Sequence, residues 1–312
     1  MNRSSSIGVE HQNPKASLAS RPAPQVFVLV LNWNNWKDTN ECLTSLQGLN
    51  YANRTVIVLD NGSTDGSVQR IREKHPEVEV MELGENFGFA KGNNAGIRAA
   101  LDRGAEYVWV LNNDTTVDAS ALRAMVEKAE SDLKIGAVGS AIYSMTERER
   151  LQVWGGGHVN FLLGRSRHFT LPVSNGKLQF ITGASLFLRR RTLEELGLLD
   201  EGFFMYWEDA DYCFRLRRAG WRLAVASSSR VWHKEQGSIG KKSALLDTYF
   251  NRSAMRFFAR NAALPFLSIW TGVSLRIAKR ALRGDWKKVR ALWTGTTRAQ
   301  IAPSNGASRW RS

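Results

Sequence analysis

The most constraining feature of the sequence is a strand, loop and helix pattern that recurs through its first half. The run QVFVLVLNW, residues 25–33, is almost continuously apolar and rich in β-branched residues, as a strand buried on both faces would be. A helical pattern follows, and the same design returns at TVIVLD (55–60) and EYVWVLN (106–112). The alternation predicts an α/β fold with a mostly parallel central sheet and ligands at the carboxyl ends of its strands.

After about residue 140 the alternation loosens. The apolar run Phe180–Leu188 predicts one more buried strand. Short helices are expected at 191–198 and 209–219, and a last strand is expected to end near His233.

Composition divides the chain into three parts. Residues 1–24 are polar and rich in Pro and Ser, which predicts a disordered lead-in, and residues 25–261 hold the α/β domain. In residues 262–312, ten Lys and Arg residues are opposed by one acid, Asp285, and Trp and Leu are interleaved with them. We expect basic amphipathic helices that lie on an anionic membrane surface; a solvated basic helix is the alternative.

Two further features bear on location. The only cysteines, Cys42 and Cys213, are far apart and lack metal-binding spacing, which favours a reducing compartment. The most apolar late stretch, Ala262–Leu275, is shorter than the roughly 20 residues of a membrane-spanning helix. The sequence therefore predicts a cytoplasmic protein, peripheral at the inner face of the plasma membrane.

Polar side chains follow each of the first predicted strands. Because the carboxyl ends of parallel strands meet at one edge of a sheet, these residues are expected to form a single binding crevice. Ser63, Thr64 and Asp65 in the loop after residue 59 also suit an Asx turn and a helix cap, which is an alternative use for that loop. The predicted crevice residues are Asn32, Asn34, Asp60, Asn61, Asn86, Lys91, Asn94, Asn112, Asn113 and Asp114.

A divalent cation is expected at the LNNDT stretch, residues 111–115. A carboxylate from Asp114 beside neutral oxygen donors suits Mg²⁺ or Mn²⁺, with substrate phosphates completing the coordination. His233 follows the last strand and is a candidate nitrogen ligand, although a lone histidine is more often structural.

The stretch FFMYWEDADYC, residues 203–213, places three acids directly after an aromatic run. A helix that begins near Asp209 has its positive end there, and Asp211 stands four residues before Arg215, so these two effects account for two of the acids. The remaining carboxylate is a candidate general base. Tyr206, Trp207 and Glu208 are the candidate sugar-binding residues beside it.

Six motifs in this order resemble a known family. They are QVFVLVLNWN, LDNGSTDGS, ENFGFAKGNNAGI, LNNDT, ITGASLFLRR and GFFMYWEDADYCFRLRRAGW, and the resemblance covers residues 25–258. Together they are similar to the inverting glycosyltransferases of family 2, in particular the bacterial rhamnosyltransferase-like branch. The resemblance implies a GT-A fold and transfer of a sugar from a nucleotide-diphosphate donor.

The resemblance also implies roles for individual residues. Asp60 would read the base or ribose, Asp114 would hold the metal on the diphosphate, and Asp209 would deprotonate the acceptor hydroxyl. His233 matches the late histidine of the family near the metal. The chain departs from the commoner pattern by carrying asparagine at two of the three positions of the family's DxD metal motif. It also lacks the QxxRW signature of processive polymerases, which implies transfer of one or a few sugars.

From the resemblance, dTDP-rhamnose is the first expected donor and a polyprenyl-diphosphate-linked glycan the expected acceptor, in cell-surface polysaccharide synthesis. A galactosyl- or other hexosyltransferase using a UDP-sugar is the alternative within the family. A non-catalytic nucleic-acid binder would suit the net charge of +14, but it leaves Asp60, Asp114 and Asp209 unexplained, so no nucleic acid is expected. A sugar nucleotidyltransferase would need a Gly-rich loop where this chain reads LNWNNW.

Overall fold

The computed structural model describes residues 22–234 and 244–297. The strands in these ranges are β1 (Val26–Asn32), β2 (Arg54–Asp60), β3 (Glu79–Glu82), β4 (Tyr107–Asn112), β5 (Thr115–Val117), β6 (Ile135–Ser144), β7 (Leu151–Trp154), β8 (Gly156–Asn160), β9 (Arg165–His168), β10 (Phe180–Ile181), β11 (Ser185–Arg189) and β12 (Arg222–His233). The helices are α1 (Trp36–Gln47), α2 (Ser67–Lys74), α3 (Gly88–Asp102), α4 (Ala121–Glu130), α5 (Arg190–Leu196), α6 (Glu208–Arg218), α7 (Ala244–Asn261), α8 (Pro265–Ala281) and α9 (Trp286–Thr297).

The central sheet has the strand order β3-β2-β1-β4-β11-β6-β12-β5, with β7 added on β6. The first four strands pair in parallel, as the sequence predicts. Beyond β4 the sheet is mixed, because β11 runs antiparallel between β4 and β6 while β12 is parallel to β6. The α/β fold class is confirmed, and the parallel half carries the predicted crevice loops at its carboxyl edge.

Apolar layers cover both faces of this sheet. Along β1, Phe27 and Leu29 pack into one layer with helices α3, α6 and α7, while Val28 and Val30 pack into the other with α1, α2 and α4. The strand is buried on both faces, which explains why its sequence is continuously apolar rather than alternating.

The predicted single strand Phe180–Leu188 is wrong. The chain turns at Thr182, whose carbonyl accepts a hydrogen bond from the Ser185 N–H, and the run divides into two strands. Strand β10 joins β8 and β9 in a separate antiparallel sheet, whereas β11 lies in the central sheet. The turn between them, residues 182–184, faces the cavity described below.

The described residues from 244 onward form the three helices α7, α8 and α9, joined by short loops. Helix α7, which ends at Asn261, belongs to the core through Ala254, Phe257 and Phe258. Helices α8 and α9 pack on α7, where Arg280 forms a 2.6 Å ion pair with Asp247. Across 22–234 and 244–297, every helix is too short or too polar to span a bilayer. Most of the predicted lead-in, residues 1–21, and the last residues, 298–312, lie outside the described part.

Candidate active site

A cavity of about 450 Å³ opens at the carboxyl edge of the parallel strands. The loops after β1, β2 and β4, the start of α3, strand β9, the turn 182–184, the segment 205–210 and the first half of α7 form its walls. The structure thus brings most of the predicted residues to one place. Those that line the cavity are Asn61, Asn86, Asn112, Asn113, Asp114, Tyr206, Trp207, Glu208, Asp209 and His233.

Asp209 lies in the first turn of α6 with its carboxylate fixed by the backbone. Its Oδ2 accepts a 2.8 Å hydrogen bond from the Gly183 N–H, and its Oδ1 accepts one of 2.7 Å from the Ala210 N–H. Burial raises the pKa of this carboxyl, and the bond from Gly183 partly offsets the shift by favouring the charged form. A held carboxylate with a raised pKa is a stronger base than a solvated one.

Glu208 is buried beside Asp209. Only 5% of the residue is exposed, and its Oε2 has no hydrogen-bond partner among the described residues. Burial, followed by the negative charges of Asp209 and Asp211, raises the pKa of Glu208 well above its ordinary value. The neutral acid is therefore favoured at Glu208, and the negative charge of the pair at Asp209.

The third acid of the helix start has a structural role. Asp211 is 2% exposed and forms a 3.1 Å ion pair with Arg215, the predicted pair one turn along the helix. Arg215 also donates to the carbonyl oxygens of Leu196 and Leu198. Asp211 therefore anchors α6 to the loop after α5.

The backbone just before α6 is strained. Tyr206 and Trp207 have φ values of 68° and 71°, a left-handed conformation that costs non-glycine residues free energy. Two contacts hold the segment: Ser253 of α7 donates a 2.7 Å bond to the Met205 carbonyl, and the Phe89 N–H donates one of 2.6 Å to the Phe204 carbonyl. The surrounding helices thus impose the conformation that presents Asp209.

The two aromatic residues predicted to bind sugar, Tyr206 and Trp207, differ in how far they reach the surface of the cavity. Tyr206 is half-buried, but Trp207 is 4% exposed and its ring packs 4.8 Å from Phe257 and 5.2 Å from Phe258, centroid to centroid. Trp207 is thus chiefly a core residue.

Asp114 and His233 form the candidate metal position. His233 Nε2 lies 3.2 Å from Asp114 Oδ1 and 3.5 Å from the amide nitrogen of Asn112. Strand β12 carries the histidine to this point by pairing antiparallel with β5. Within residues 22–234 and 244–297, no group of three or more His, Cys, Asp or Glu side chains is arranged to hold a metal ion. A carboxylate oxygen and an imidazole nitrogen fit Mg²⁺ or Mn²⁺ if diphosphate oxygens complete the shell.

A buried polar chain connects the predicted donor residues. The Asn113 amide donates to Thr39 Oγ1 at 2.9 Å, this hydroxyl contacts Asn32 Oδ1 at 2.8 Å, and the Asn32 amide donates to Asp60 Oδ1 at 2.9 Å. Asp60 also accepts a 2.9 Å hydrogen bond from the Ser63 N–H through its Oδ2. Asn32 and Asp60 therefore lie behind the residues that line the cavity.

Three other predicted residues do not line the cavity. Asn34 is exposed, with a φ of 50°, and its side chain accepts from the Thr64 N–H at 2.7 Å. Lys91 lies 3.6 Å from the centroid of the Phe87 ring. Asn94 is corrected to a structural residue, because its buried amide bonds both backbone groups of Leu199. The sequence suggested a ligand role for Asn94 because this residue stands in a stretch rich in Gly and Asn, as ligand-binding loops often do.

Sequence reasoning missed several cavity residues. Gly183 contributes a backbone N–H, which carries no side-chain signal. Ser166 and His168 come from β9 of the small sheet, and Phe250 comes from α7, which is remote in sequence. Only the alternation of Ser166 and His168 on β9, which puts both on one face, offered a signal.

Comparison with known proteins decides the family. Residues 27–197 match the family model described as "Glycosyl transferase family 2". The match covers more than half of the 312 residues. The chain belongs to glycosyl transferase family 2. The matched part of this glycosyltransferase ends before α6, so Asp209 and His233 lie beyond it.

Relatives and solved structures agree with this membership. An N-acetylglucosaminyl-diphospho-decaprenol L-rhamnosyltransferase of Mycobacterium tuberculosis (strain CDC 1551 / Oshkosh) is 28% identical over 228 residues, 66% of this chain and 74% of the relative. GalNAc-T7, solved with UDP, GalNAc and Mn²⁺, matches with a TM-score of 0.62 at 16% identity, over 76% of this chain. This chain spans about half of GalNAc-T7, covering 48% of it.

A second structure covers more of the chain. The mannosyltransferase PcManGT from Pyrobaculum calidifontis, solved in complex with GDP-Man and Mn²⁺, matches with a TM-score of 0.56 at 20% identity, over 93% of this chain and 81% of the other. These likenesses show the fold, which is of the GT-A type.

Proposed function

We propose that this glycosyltransferase transfers one sugar, with inversion, from a nucleotide-diphosphate donor to a hydroxyl of a glycan or lipid-linked acceptor. The observation that carries the proposal is that one cavity holds both the backbone-fixed carboxylate of Asp209 and the pair formed by Asp114 and His233. The first position suits a general base, and the second suits the negative charge that develops on a departing diphosphate.

The reaction is a single displacement. The acceptor oxygen attacks the anomeric carbon, the bond from this carbon to the diphosphate oxygen breaks, and the hydroxyl proton passes to Asp209. Because the acceptor enters opposite the leaving group and no enzyme side chain bonds to the sugar, the anomeric configuration inverts. The Gly183 N–H keeps Asp209 Oδ2 in place during this transfer.

Asp114 and His233 would hold Mg²⁺ or Mn²⁺, which when bound supplies positive charge to the leaving diphosphate. The Asn112 amide nitrogen lies 3.5 Å from the same His233 Nε2, so Asn112 borders the proposed metal position. GalNAc-T7 and PcManGT were both solved with Mn²⁺, which supports a divalent cation as cofactor.

The donor would occupy the side of the cavity formed by the asparagines. Asn61 and Asn86 are joined by a 3.0 Å hydrogen bond, and Asn113 continues into the buried chain that ends at Asp60. Amides of this kind can bond a base, a ribose or sugar hydroxyls. The relative named as a rhamnosyltransferase supports L-rhamnose from dTDP-rhamnose, and GalNAc-T7 with UDP supports a UDP-sugar as the alternative.

The acceptor is proposed to be a polyprenyl-diphosphate-linked glycan of cell-surface polysaccharide synthesis. The support is the name of the relative, whose acceptor is an N-acetylglucosaminyl-diphospho-decaprenol. Apolar side chains from Phe180, Met205, Leu246 and Phe250 line the rest of the cavity and would exclude water from the attacking hydroxyl. A cytoplasmic enzyme, peripheral at the inner face of the plasma membrane through residues 262–312, would meet this acceptor.

A panel of nucleotides tests the proposal. Thermal stability is measured with dTDP, UDP, GDP and ADP, each with and without Mn²⁺ or Mg²⁺, and the anomeric configuration of the product is then read by NMR. A ligand at ~100 times its dissociation constant should stabilise the fold by about 2.7 kcal/mol. Stabilisation by oligonucleotides and by none of the four diphosphates would overturn the proposal in favour of nucleic-acid binding.

A further inference from the structure

Helix α8 turns an apolar face to the outside of the molecule. Phe266 is 82% exposed, Trp270 is 61% exposed and Leu275 is 49% exposed, whereas Gly272 and Val273 are buried. Leu282, directly after the helix, is 90% exposed. Side chains of this size are seldom left together on the surface of a protein that has no partner there. We call Phe266, Leu267, Trp270, Leu275 and Leu282 the apolar face of α8.

Positive charge adjoins this face. Lys279, Arg283 and Lys287 are exposed between the second half of α8 and the start of α9. Asp285 is the single acid of residues 262–297. Aromatic and aliphatic side chains flanked by cations are what a helix lying in the interface of an anionic bilayer presents.

The apolar face of α8 is tied to one wall of the cavity. The Thr271 hydroxyl lies 2.7 Å from the carbonyl oxygen of Leu162 and at the same distance from that of Leu267. Leu162 is 63% exposed at the tip of the hairpin formed by β8 and β9. Arg276 donates to the Gly164 carbonyl at 3.0 Å and to Asn251 Oδ1 at 2.8 Å. The hairpin continues into the cavity residues of β9, and Asn251 is the neighbour of Phe250 in α7.

We propose that the apolar face of α8, together with Leu162 and the adjoining cations, docks on an anionic bilayer and brings the wall formed by β9 and α7 to the membrane surface. This inference rests on the membrane association proposed above and names its surface. A lipid-linked acceptor then reaches Asp209 past this wall, with its hydrocarbon chain in the bilayer.

A second copy of the chain is the other possible occupant of this face. A symmetric dimer through α8 would place the same surface on both sides, so each side of the interface would carry the positive charge of Lys279 and Arg283. Like charges across an interface repel, whereas anionic headgroups attract these cations. Charge therefore favours the bilayer.

Vesicle sedimentation of the full chain tests the surface. The vesicles contain phosphatidylcholine alone or with phosphatidylglycerol, and the variants are Phe266→Ser with Trp270→Ser, and Lys279→Glu with Arg283→Glu. Each should lower binding to the anionic vesicles at least about tenfold. The matched controls are Leu133→Ser, a 72% exposed leucine at the amino end of β6, and Lys134→Glu with Arg218→Glu; these should bind as the unaltered chain does.

The outcomes separate the two proposals. If the unaltered chain binds anionic vesicles and the α8 variants bind equally well, the surface is wrong while membrane association stands. If the unaltered chain binds no vesicles, both fail. If Phe266→Ser with Trp270→Ser instead converts a dimer to a monomer in light scattering, the face is an interface between copies. Nucleotide stabilisation should be the same in all these variants, so the transferase proposal is measured independently.

Discussion

The Gly183 N–H donates a 2.8 Å hydrogen bond to Oδ2 of Asp209, across 26 residues of sequence. This bond couples the turn between β10 and β11 to the first turn of α6. An added Cβ at Gly183 would lie 3.4 Å from the Phe89 ring and 3.6 Å from Asp209 Oδ2, so the turn brings backbone close to the carboxylate. The position of the proposed base is thus set by two elements of the fold and not by its own helix alone.

Asp209→Asn should abolish most transfer while leaving nucleotide binding unchanged. The amide keeps the shape of the side chain but cannot accept the acceptor proton, and general-base catalysis contributes about 10²–10⁴-fold. The rate of sugar transfer and the thermal shift with nucleotide are measured together. Asp102→Asn, on the exposed end of α3, is the control and should transfer normally. Full activity of Asp209→Asn would remove this residue from the chemistry.

Asp114→Asn should weaken the effect of metal on nucleotide binding. The substitution preserves an oxygen donor but removes its charge. The apparent affinity for Mn²⁺ in the presence of the correct nucleoside diphosphate should therefore fall at least about tenfold. Titration of Mn²⁺ at fixed nucleotide concentration measures it. Glu127→Gln on the exposed side of α4 serves as control. An unchanged Mn²⁺ titration in Asp114→Asn would contradict the assignment.

Glu208→Gln should make the stability of the folded protein fall less as the pH rises. Burial raises the pKa of Glu208 in the folded state, so the folded state binds more protons than the unfolded chain at intermediate pH. Its contribution to stability is complete below the ordinary pKa near 4.5 and is lost as pH rises through the raised value. Melting temperatures between about pH 5 and pH 8 should therefore fall less in Glu208→Gln than in the unaltered chain.

The exposed Glu127→Gln provides the comparison for this experiment and should keep the original slope. Parallel slopes for Glu208→Gln and the unaltered chain would show that Glu208 titrates alike in both states. The pH dependence of transfer is a second measurement. Because the pKa of Asp209 is raised, acidification should abolish activity at a higher pH than the pKa of an ordinary aspartate would give.

Thr39→Val should raise the KM for the donor and lower stability. Thr39 is fully buried, and its hydroxyl joins Asn113 to Asn32. Valine has the same shape but leaves both asparagines without this partner, which costs about 1–3 kcal/mol. Donor kinetics and urea unfolding measure the two effects. Thr39→Ser keeps the hydroxyl and should retain the original KM; equal KM values for Thr39→Val and Thr39→Ser would rule out the connection.

The sequence predicted the parallel half of the fold because its signal is local. A strand buried on both faces, such as β1, must be apolar throughout, and the loop after it must be polar at the sheet edge. The same logic placed Asn61, Asn113 and Asp114 correctly at one cavity. Local pattern also identified the start of α6 and the ion pair between Asp211 and Arg215.

The remaining features depend on contacts that local pattern does not encode. The run Phe180–Leu188 is apolar in both of its strands, so the break at residues 182–184 and the N–H of Gly183 were invisible. Asn94 is of a residue type that often binds ligands, yet its side-chain amide is hydrogen-bonded to Leu199 in the loop after α5. The sequence predicts that Trp207 binds sugar, but in the structure its ring packs against Phe257 of α7.

The strained pair Tyr206 and Trp207 has a consequence for how this enzyme can be divided or recombined. The family match ends at residue 197, but the backbone that presents Asp209 is held by Ser253 and the aromatic rings of α7. A chimera that joins residues 27–197 to a foreign carboxyl-terminal region would inherit the proposed donor-binding residues and lose the geometry of the proposed base. The unit that can be exchanged as a working module therefore extends through α7.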